Sequence, residues 1–147
     1  MPGPPKNFAS LLRARRGYLG TIGPEGIPHI LPVCFTWAGD VIWTAIDGKP
    51  KSTKQLQRIK DIQANPKVSF TVDRWDEDWS RLAWLQARGT GRVVPKGPES
   101  AKVLVALESK YSQYSEVQAD GPVLRIDVER WVSWSAEGPL SHQRGVQ

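Results

Sequence analysis

Cysteine is nearly absent from this sequence, since Cys34 is the only one among its 147 residues. A single thiol cannot form a disulfide within the chain, so a reducing cytoplasm is the expected compartment. Long apolar stretches are missing too, because no run approaches the roughly 18 residues that a membrane-spanning helix needs. Residues 1–6 lack the apolar segment of a signal peptide. We therefore expect a cytoplasmic protein with no membrane partner.

Histidine is also scarce, with His29 and His142 the only two and far apart in the chain. No cluster of cysteine and histidine has metal-ligand spacing, so we expect no bound metal. A Gly-x-Ser-x-Gly motif for serine hydrolysis is missing, and Cys34 has no local base that would make it a nucleophile. The sequence therefore assigns no catalytic side chain.

The residues that are present describe a basic, tryptophan-rich domain. The formal net charge is +5, the sequence pI is about 9.6, and 39% of the residues are hydrophobic. A basic balance favours an anionic partner, which could be nucleic acid, a phosphorylated cofactor or acidic lipid. Seven tryptophans indicate a core, an interface or a flat ring-shaped ligand. The length corresponds to one domain.

Apolar residues alternate or cluster in six segments separated by turn-forming residues. This pattern predicts strands over residues 18–22, 29–37, 41–46, 68–72, 81–94 and 123–134. Gly89 and Gly91 lie within the fifth strand and indicate a barrel bend or a bulge. Most consecutive strands lack a helical crossover, which disfavours a doubly wound parallel sheet. We predict a mainly β fold, a six-stranded antiparallel barrel with peripheral helices.

Helical spacing predicts three helices, over residues 8–16, over 52–64 and from Pro98 onward. In the second of these, Leu56, Ile59 and Ile62 are expected to face inward. Residues 1–147 are interpreted as a single domain with its core at about 8–136 and flexible tails at both ends.

The most informative segment is a lysine-rich turn that leads into the second helix. Ser52 and Gln55 have the spacing of a capping box, so the helix is expected to begin near Ser52. Lysines beside a helix start oppose the helix dipole by a few tenths of a kcal/mol each, unless an anion binds there. The pattern therefore predicts a phosphate site at Lys49, Lys51, Ser52, Thr53 and Lys54. The alternative is that these lysines are simply solvated.

A nucleic-acid partner is not expected. The segment 73–78 carries four acidic side chains, which would repel a phosphate backbone nearby.

Four segments together resemble a known family. Residues 17–33, 47–54, 65–68 and 78–82 resemble the pyridoxamine-phosphate-oxidase-like split β-barrel, and within it the coenzyme F-420-dependent oxidoreductases. The resemblance spans roughly residues 8–136. It implies an FMN-binding split-barrel type of fold and a homodimer with the cofactor in a groove at the subunit interface.

The resemblance also implies roles for particular residues. The cofactor phosphate would be held by the lysine-rich turn and helix start, and the fused ring would lie along Pro32 and Val33, near Thr44. Pro32 supports this independently, because a residue without an N–H belongs at a sheet edge or irregularity, where a ligand can approach; a plain edge strand explains it equally well. Trp79 is interpreted as a lid or cross-dimer contact to the ring, or as an aromatic packed at the dimer interface.

By this resemblance the protein transfers a hydride between F-420 and an unsaturated small molecule. Hydride chemistry belongs to the deazaflavin, and the protein supplies binding and orientation. Two alternatives remain open: the same barrel carrying FMN, and a non-enzymatic carrier of a cofactor or of heme, with His29 as an axial ligand. The carboxylates of the F-420 tail favour a basic groove, whereas the lysine-rich turn suits both cofactors. The proton donor is left to solvent.

Overall fold

The computed structural model describes residues 3–46, 53–117 and 121–136, with the side chains of 53–56 and 116–117 excepted. Its strands are β1 (Gly17–Ile22), β2 (Pro28–Val33), β3 (Thr36–Ala38), β4 (Val41–Ala45), β5 (Lys67–Arg74), β6 (Ala83–Val94) and β7 (Val123–Ser135). The α-helices are α1 (Thr53–Ala64), α2 (Pro98–Lys110) and α3 (Tyr114–Val117), and 3-10 helices cover Lys6–Arg13, Pro24–Gly26 and Trp79–Arg81.

All seven strands form one antiparallel sheet in the order β2-β1-β5-β6-β7-β4-β3. The sheet curls into a half-barrel around the core, with helices packed at its margins. The mainly β, antiparallel split-barrel prediction is confirmed. No helix within the described ranges is long and apolar enough to cross a membrane.

The strand count of six was wrong, because the segment predicted as one strand over 29–37 is two. It breaks at Cys34 and Phe35, and its halves β2 and β3 lie at opposite edges of the sheet. At the break, the Phe35 N–H donates to the Tyr111 hydroxyl at 3.2 Å. Both halves pack on the same core, so the apolar pattern continues across the break. The spacing of apolar residues shows which side chains are buried, but it does not show that β2 and β3 pair with different strands.

The irregularity predicted in the fifth strand is present. The register between β6 and β7 shifts between Arg88 and Gly89. A Cβ at Gly89 would lie 2.0 Å from the carbonyl oxygen of Asp127 on β7. Only glycine permits this close approach of two backbones, so the bulge depends on it.

The core lies inside the half-barrel, where alternate strand residues point inward. The segment predicted as a helix over 8–16 is a 3-10 helix that ends at Arg13, and its buried side chains close one end of this core. A second, smaller cluster lies under α2. The largest buried side chains of the first cluster are Phe8, Leu12, Leu19, Phe35, Ile42, Phe70, Leu85, Leu124 and Ile126.

Helix α1 ends at Ala64, as the following Asn65 and Pro66 predict. Its inward face differs from the prediction. Arg58, Asp61 and Ile62 are buried, whereas Ile59 is half-buried, and the Leu56 side chain lies outside the described residues. Two charged residues therefore face the sheet, and they need partners there. The predicted flexible tails extend beyond the described residues at both ends.

Candidate functional site

A cleft of about 390 Å³ separates the β1–β2 edge of the sheet from α1. We call it the β2–α1 cleft. Its apolar walls come from Leu19, Pro28, Ile30 and Leu31, and its polar side chains are Thr21, His29, Gln57, Arg58 and Asp61. A mostly apolar concavity of this size with a few convergent polar groups is the usual form of a small-molecule site.

Asp61 is the centre of the polar group. It is 2% exposed, and both of its oxygens accept hydrogen bonds. Oδ1 accepts from Nε2 of Gln57 at 2.8 Å, one helical turn earlier, and Oδ2 accepts from the Thr21 hydroxyl at 2.8 Å. The same Oδ2 lies 2.6 Å from Nδ1 of His29. One carboxylate thus joins β1, β2 and α1.

The environment keeps this carboxylate ionised. Burial by itself raises its pKa, but the hydrogen bonds from Gln57, His29 and Thr21 and the charge of His29 outweigh burial, so the pKa of Asp61 lies below its usual value of 3.8. An ionised carboxylate can only accept, and therefore Nδ1 of His29 carries the proton of the 2.6 Å contact.

The His29 ring is fixed from a second side by the turn between β1 and β2. A Cβ at Gly23 would lie 2.3 Å from Cε1 of the ring, so the imidazole occupies the space that glycine leaves. The Gly23 N–H donates to the Ile27 carbonyl at 2.7 Å and closes the turn. The His29 side chain is 36% exposed. It is both oriented by its neighbours and open to solvent.

Arg58 supplies the positive charge of the cleft. It is 8% exposed and follows Gln57 on the second turn of α1. A guanidinium in a cleft with apolar walls suits a ligand that carries anionic or carbonyl oxygens.

The structure places the predicted ring-binding residues on two different parts of the sheet. Pro32 is exposed on the edge strand β2, where it pairs with Tyr18, and Val33 is buried at the end of the same strand. Thr44 is buried on β4, second from the opposite edge. These three do not line the β2–α1 cleft, although Pro32 directly follows the four β2 residues that do.

The predicted phosphate-binding residues lie at the start of α1. Thr53 and Lys54 open the helix, and Gln57, the first α1 residue that lines the cleft, follows Lys54 by three positions. Lys49, Lys51 and Ser52 lie outside the described residues.

Trp79 is 67% exposed in the 3-10 helix that follows β5. The carboxylate of Asp78 accepts from the Ser80 N–H at 3.1 Å and fixes this short turn. A second groove, of about 470 Å³, lies on the outer face of the sheet and is lined by Tyr18, Trp75, Trp84 and Trp134 among others. Trp79 stays outside the β2–α1 cleft, and both interpretations of it remain predictions.

Sequence reasoning missed the residues around Asp61. The sequence did contain a clue to them. Arg58 and Asp61 lie on the same face of the helix as Ile62, so a helix that buries Ile62 also buries both charged residues. Gln57 and Asp61 are also four residues apart, the spacing of neighbours on a helix. The partners on β1 and β2 carry no comparable signal.

The half-barrel and its cleft define the class of fold, a small antiparallel split barrel with a ligand-sized cleft at one edge. The chain belongs to the pyridoxamine 5'-phosphate oxidase family, whose sequence profile matches residues 4–135. At the level of class it is an oxidoreductase of this family.

Relatives extend the comparison. The chain is 26% identical over 150 residues to a 5a,11a-dehydrotetracycline/5a,11a-dehydrooxytetracycline reductase of Streptomyces rimosus, covering 99% of this chain and 94% of that protein. A solved F420 reductase has a TM-score of 0.64 at 24% identity and covers 86% of this chain and 97% of its own. HutZ, the heme storage protein from Vibrio cholerae, has a TM-score of 0.68 at 13% identity, and the match covers 90% of this chain and 94% of HutZ. The two structures show that the fold is shared.

Proposed function

We propose that this protein is a coenzyme F-420-dependent oxidoreductase that transfers a hydride between the deazaflavin and an unsaturated small molecule. The observation that carries the proposal is the position of the β2–α1 cleft. It takes its residues from β2 immediately before Pro32 and from α1 beginning at Gln57, three positions after Lys54. Pro32 on β2 and the start of α1 at Thr53 and Lys54 thus lie beside a cleft that is large enough for a small substrate.

The chemistry of these residues fits the cofactor. A tricyclic ring with an anionic tail needs an apolar or N–H-free surface for the ring and donors for the charges. The exposed Pro32 offers no N–H, and Arg58 adds a guanidinium to the lysines that precede α1. Bound F-420 supplies the hydride, and the chain binds and orients it. Val33, Thr44 and Trp79 complete the proposed set. The reductase named among the relatives supports this reading.

The first experiment is a fluorescence titration of the purified protein with F-420 and, separately, with FMN. Micromolar or tighter binding of F-420 with weak binding of FMN supports the proposal. The reverse makes this an FMN protein of the same fold. Binding of neither, together with a Soret band on addition of heme, would favour the carrier function.

A charge-matched pair of variants locates the phosphate. Lys49→Ala with Lys51→Ala should weaken F-420 binding by a few kcal/mol at most, because each charged hydrogen bond is worth about 1.5–3 kcal/mol. Lys6→Ala with Lys102→Ala removes the same charge at two exposed positions and should change affinity little. Equal losses in both pairs would reject the site and leave only a general charge effect.

We also propose that the protein is a homodimer with the cofactor at the subunit interface. Large apolar side chains are more than half exposed at Ile27 and Ile30, just before and on β2, and at Trp75 and Trp79, in the segment between β5 and β6. A second copy would cover them. Light scattering should report a dimer, and Ile30→Lys should yield a monomer that no longer binds cofactor. Val105→Lys, at an equally exposed position on α2, is the control.

A further inference from the structure

Within the part of the chain that the structure describes, one of the two ring nitrogens of His29 has a hydrogen-bonding partner. Nδ1 faces the Asp61 carboxylate at 2.6 Å, and Asp61 is His29's one hydrogen-bonding partner among the residues that the structure describes. Because the carboxylate requires a proton on Nδ1 whether the ring is neutral or charged, the proton that can be exchanged is the one on Nε2. Asp61 therefore fixes the tautomer of His29, with a proton on Nδ1, and leaves Nε2 as the nitrogen that can gain or donate a proton.

The residues around the His29 ring hold it in one orientation. Thr21 and Gln57 hold the Asp61 carboxylate from β1 and from α1, and Gly23 leaves the space in which the imidazole lies. A carboxylate that is itself fixed by two donors holds the imidazole in one position. This is the arrangement in which a carboxylate orients a histidine for proton transfer.

The charges that face the ring are few. Asp61 contacts it, and Arg58 is the other charged residue that lines the cleft within the described ranges. The other lining residues are uncharged: Thr21 and Gln57 are polar, and the rest are apolar. Arg58 is placed to attract the oxygen of a polarised substrate, and the imidazole lies on the same cleft.

We propose that His29, oriented by Asp61, is the acid that protonates the substrate in the β2–α1 cleft. This rests on the proposed function, because the hydride comes from a reduced deazaflavin or flavin. The substrate class is a carbonyl compound with a conjugated carbon–carbon double bond, whose oxygen suits Arg58 and whose body suits the apolar walls.

The step balances. The substrate accepts a hydride at the carbon β to its carbonyl, and the electron pair of the double bond moves onto the α carbon and the oxygen. The Nε2–H bond of the imidazolium breaks, its electrons stay on Nε2, and the proton forms a new C–H bond at the α carbon of the substrate. The substrate has then gained one hydride and one proton, the reduced cofactor has been oxidised, and the imidazole regains its proton from water.

His29→Asn is the sharpest variant, because the asparagine amide can occupy the place of Nδ1 and donate to Asp61 but offers no acid at the position of Nε2. With F-420 prebound and reduced, single-turnover reduction of 2-cyclohexen-1-one should be about 100-fold slower in this variant. The rate of the wild type should fall as pH rises, because only the doubly protonated ring can donate from Nε2, whereas the variant should lack this dependence. His142→Asn, which changes the other histidine, should match the wild type.

Nitrogen-15 spectra of the apoprotein supply a readout that needs no cofactor. The neutral His29 ring should carry its proton on Nδ1 in the wild type and lose this preference in Asp61→Ala, which removes the acceptor that faces Nδ1. A neutral ring protonated on Nε2 in the wild type would overturn the proposal.

Other outcomes also decide. An unchanged rate or pH profile in His29→Asn overturns the acid role, as does a loss of F-420 affinity, which would make His29 a cofactor contact. A wild type that binds F-420 yet leaves the enone unreduced rejects the substrate class and the proposal with it. If neither F-420 nor FMN binds, the proposed function itself fails, and the titration shows this separately.

Discussion

Asp61→Asn tests the physical account of the cleft most directly. The substitution keeps the shape of the side chain and removes its charge. The three groups that face Asp61, from Thr21, Gln57 and His29, all donate to it. Gln57 can turn its amide to accept from the new side chain, so every polar atom can still find a partner. What is lost is the charge on the acceptor.

The size of the loss follows from the difference between charged and neutral hydrogen bonds. A bond to a charged group is worth about 1.5–3 kcal/mol and a neutral one about 0.5–1.5 kcal/mol, so three bonds lose about 3 kcal/mol together. Relief of the buried charge offsets part of this. We expect Asp61→Asn to lower the free energy of unfolding by about 1–3 kcal/mol at pH 7.

The pH dependence has a definite sign. The pKa of Asp61 is lower in the folded protein than its usual value, so the unfolded chain binds this proton more tightly. The stability contributed by Asp61 is therefore complete above the ordinary carboxyl range and is lost as pH falls through the folded pKa. The gap between wild type and Asp61→Asn should narrow on acidification.

Urea unfolding followed by tryptophan fluorescence, from pH 7 down to the lowest pH at which both proteins fold, measures both effects. Asp73→Asn removes the same charge at an exposed position and should change stability by less than about 0.5 kcal/mol. A loss below that value in Asp61→Asn, or a gap that stays constant as pH falls, would refute the account of an ionised Asp61 stabilised by its donors.

Three further outcomes are expected. Gly89→Ala should cost about 3 kcal/mol or more in urea unfolding, because its Cβ would meet a backbone carbonyl oxygen of β7 at 2.0 Å; a neutral result would contradict the bulge geometry. Gly23→Ala should expel the His29 ring and abolish its Nδ1–H signature in nitrogen-15 spectra, and a preserved signature would show that the turn can yield. Burial and a neighbouring positive charge lower the pKa of Lys110 to about 8, so at pH 8 an acylating reagent should modify it ahead of the exposed Lys102, as mass spectrometry would show; equal rates would argue against that pKa.

The sequence by itself determined the class of fold and most element positions. Alternation places Leu85 and Ala87 inside and Gln86 half-exposed on the outer face, and it needs only the period of a strand. Gly89 in β6 indicated the bulge, because no other residue allows two backbones to approach so closely. Pro32 indicated an edge strand, since it lacks the N–H that a residue in an interior strand donates to its neighbour. These signals are local, so one chain is enough to carry them.

Tertiary structure alone decided which strands pair and which polar groups meet. The apolar run over 29–37 could not show that its halves lie at opposite edges, since both bury side chains in one core. The link between His29, Thr21 and Asp61 spans 32 and 40 residues of chain and obeys no spacing rule. From the sequence, a buried Asp61 implies only that hydrogen-bond donors must lie near it. Which partners it finds, and hence the tautomer of His29 and the chemistry proposed for the cleft, depends on the docking of α1 against β1 and β2.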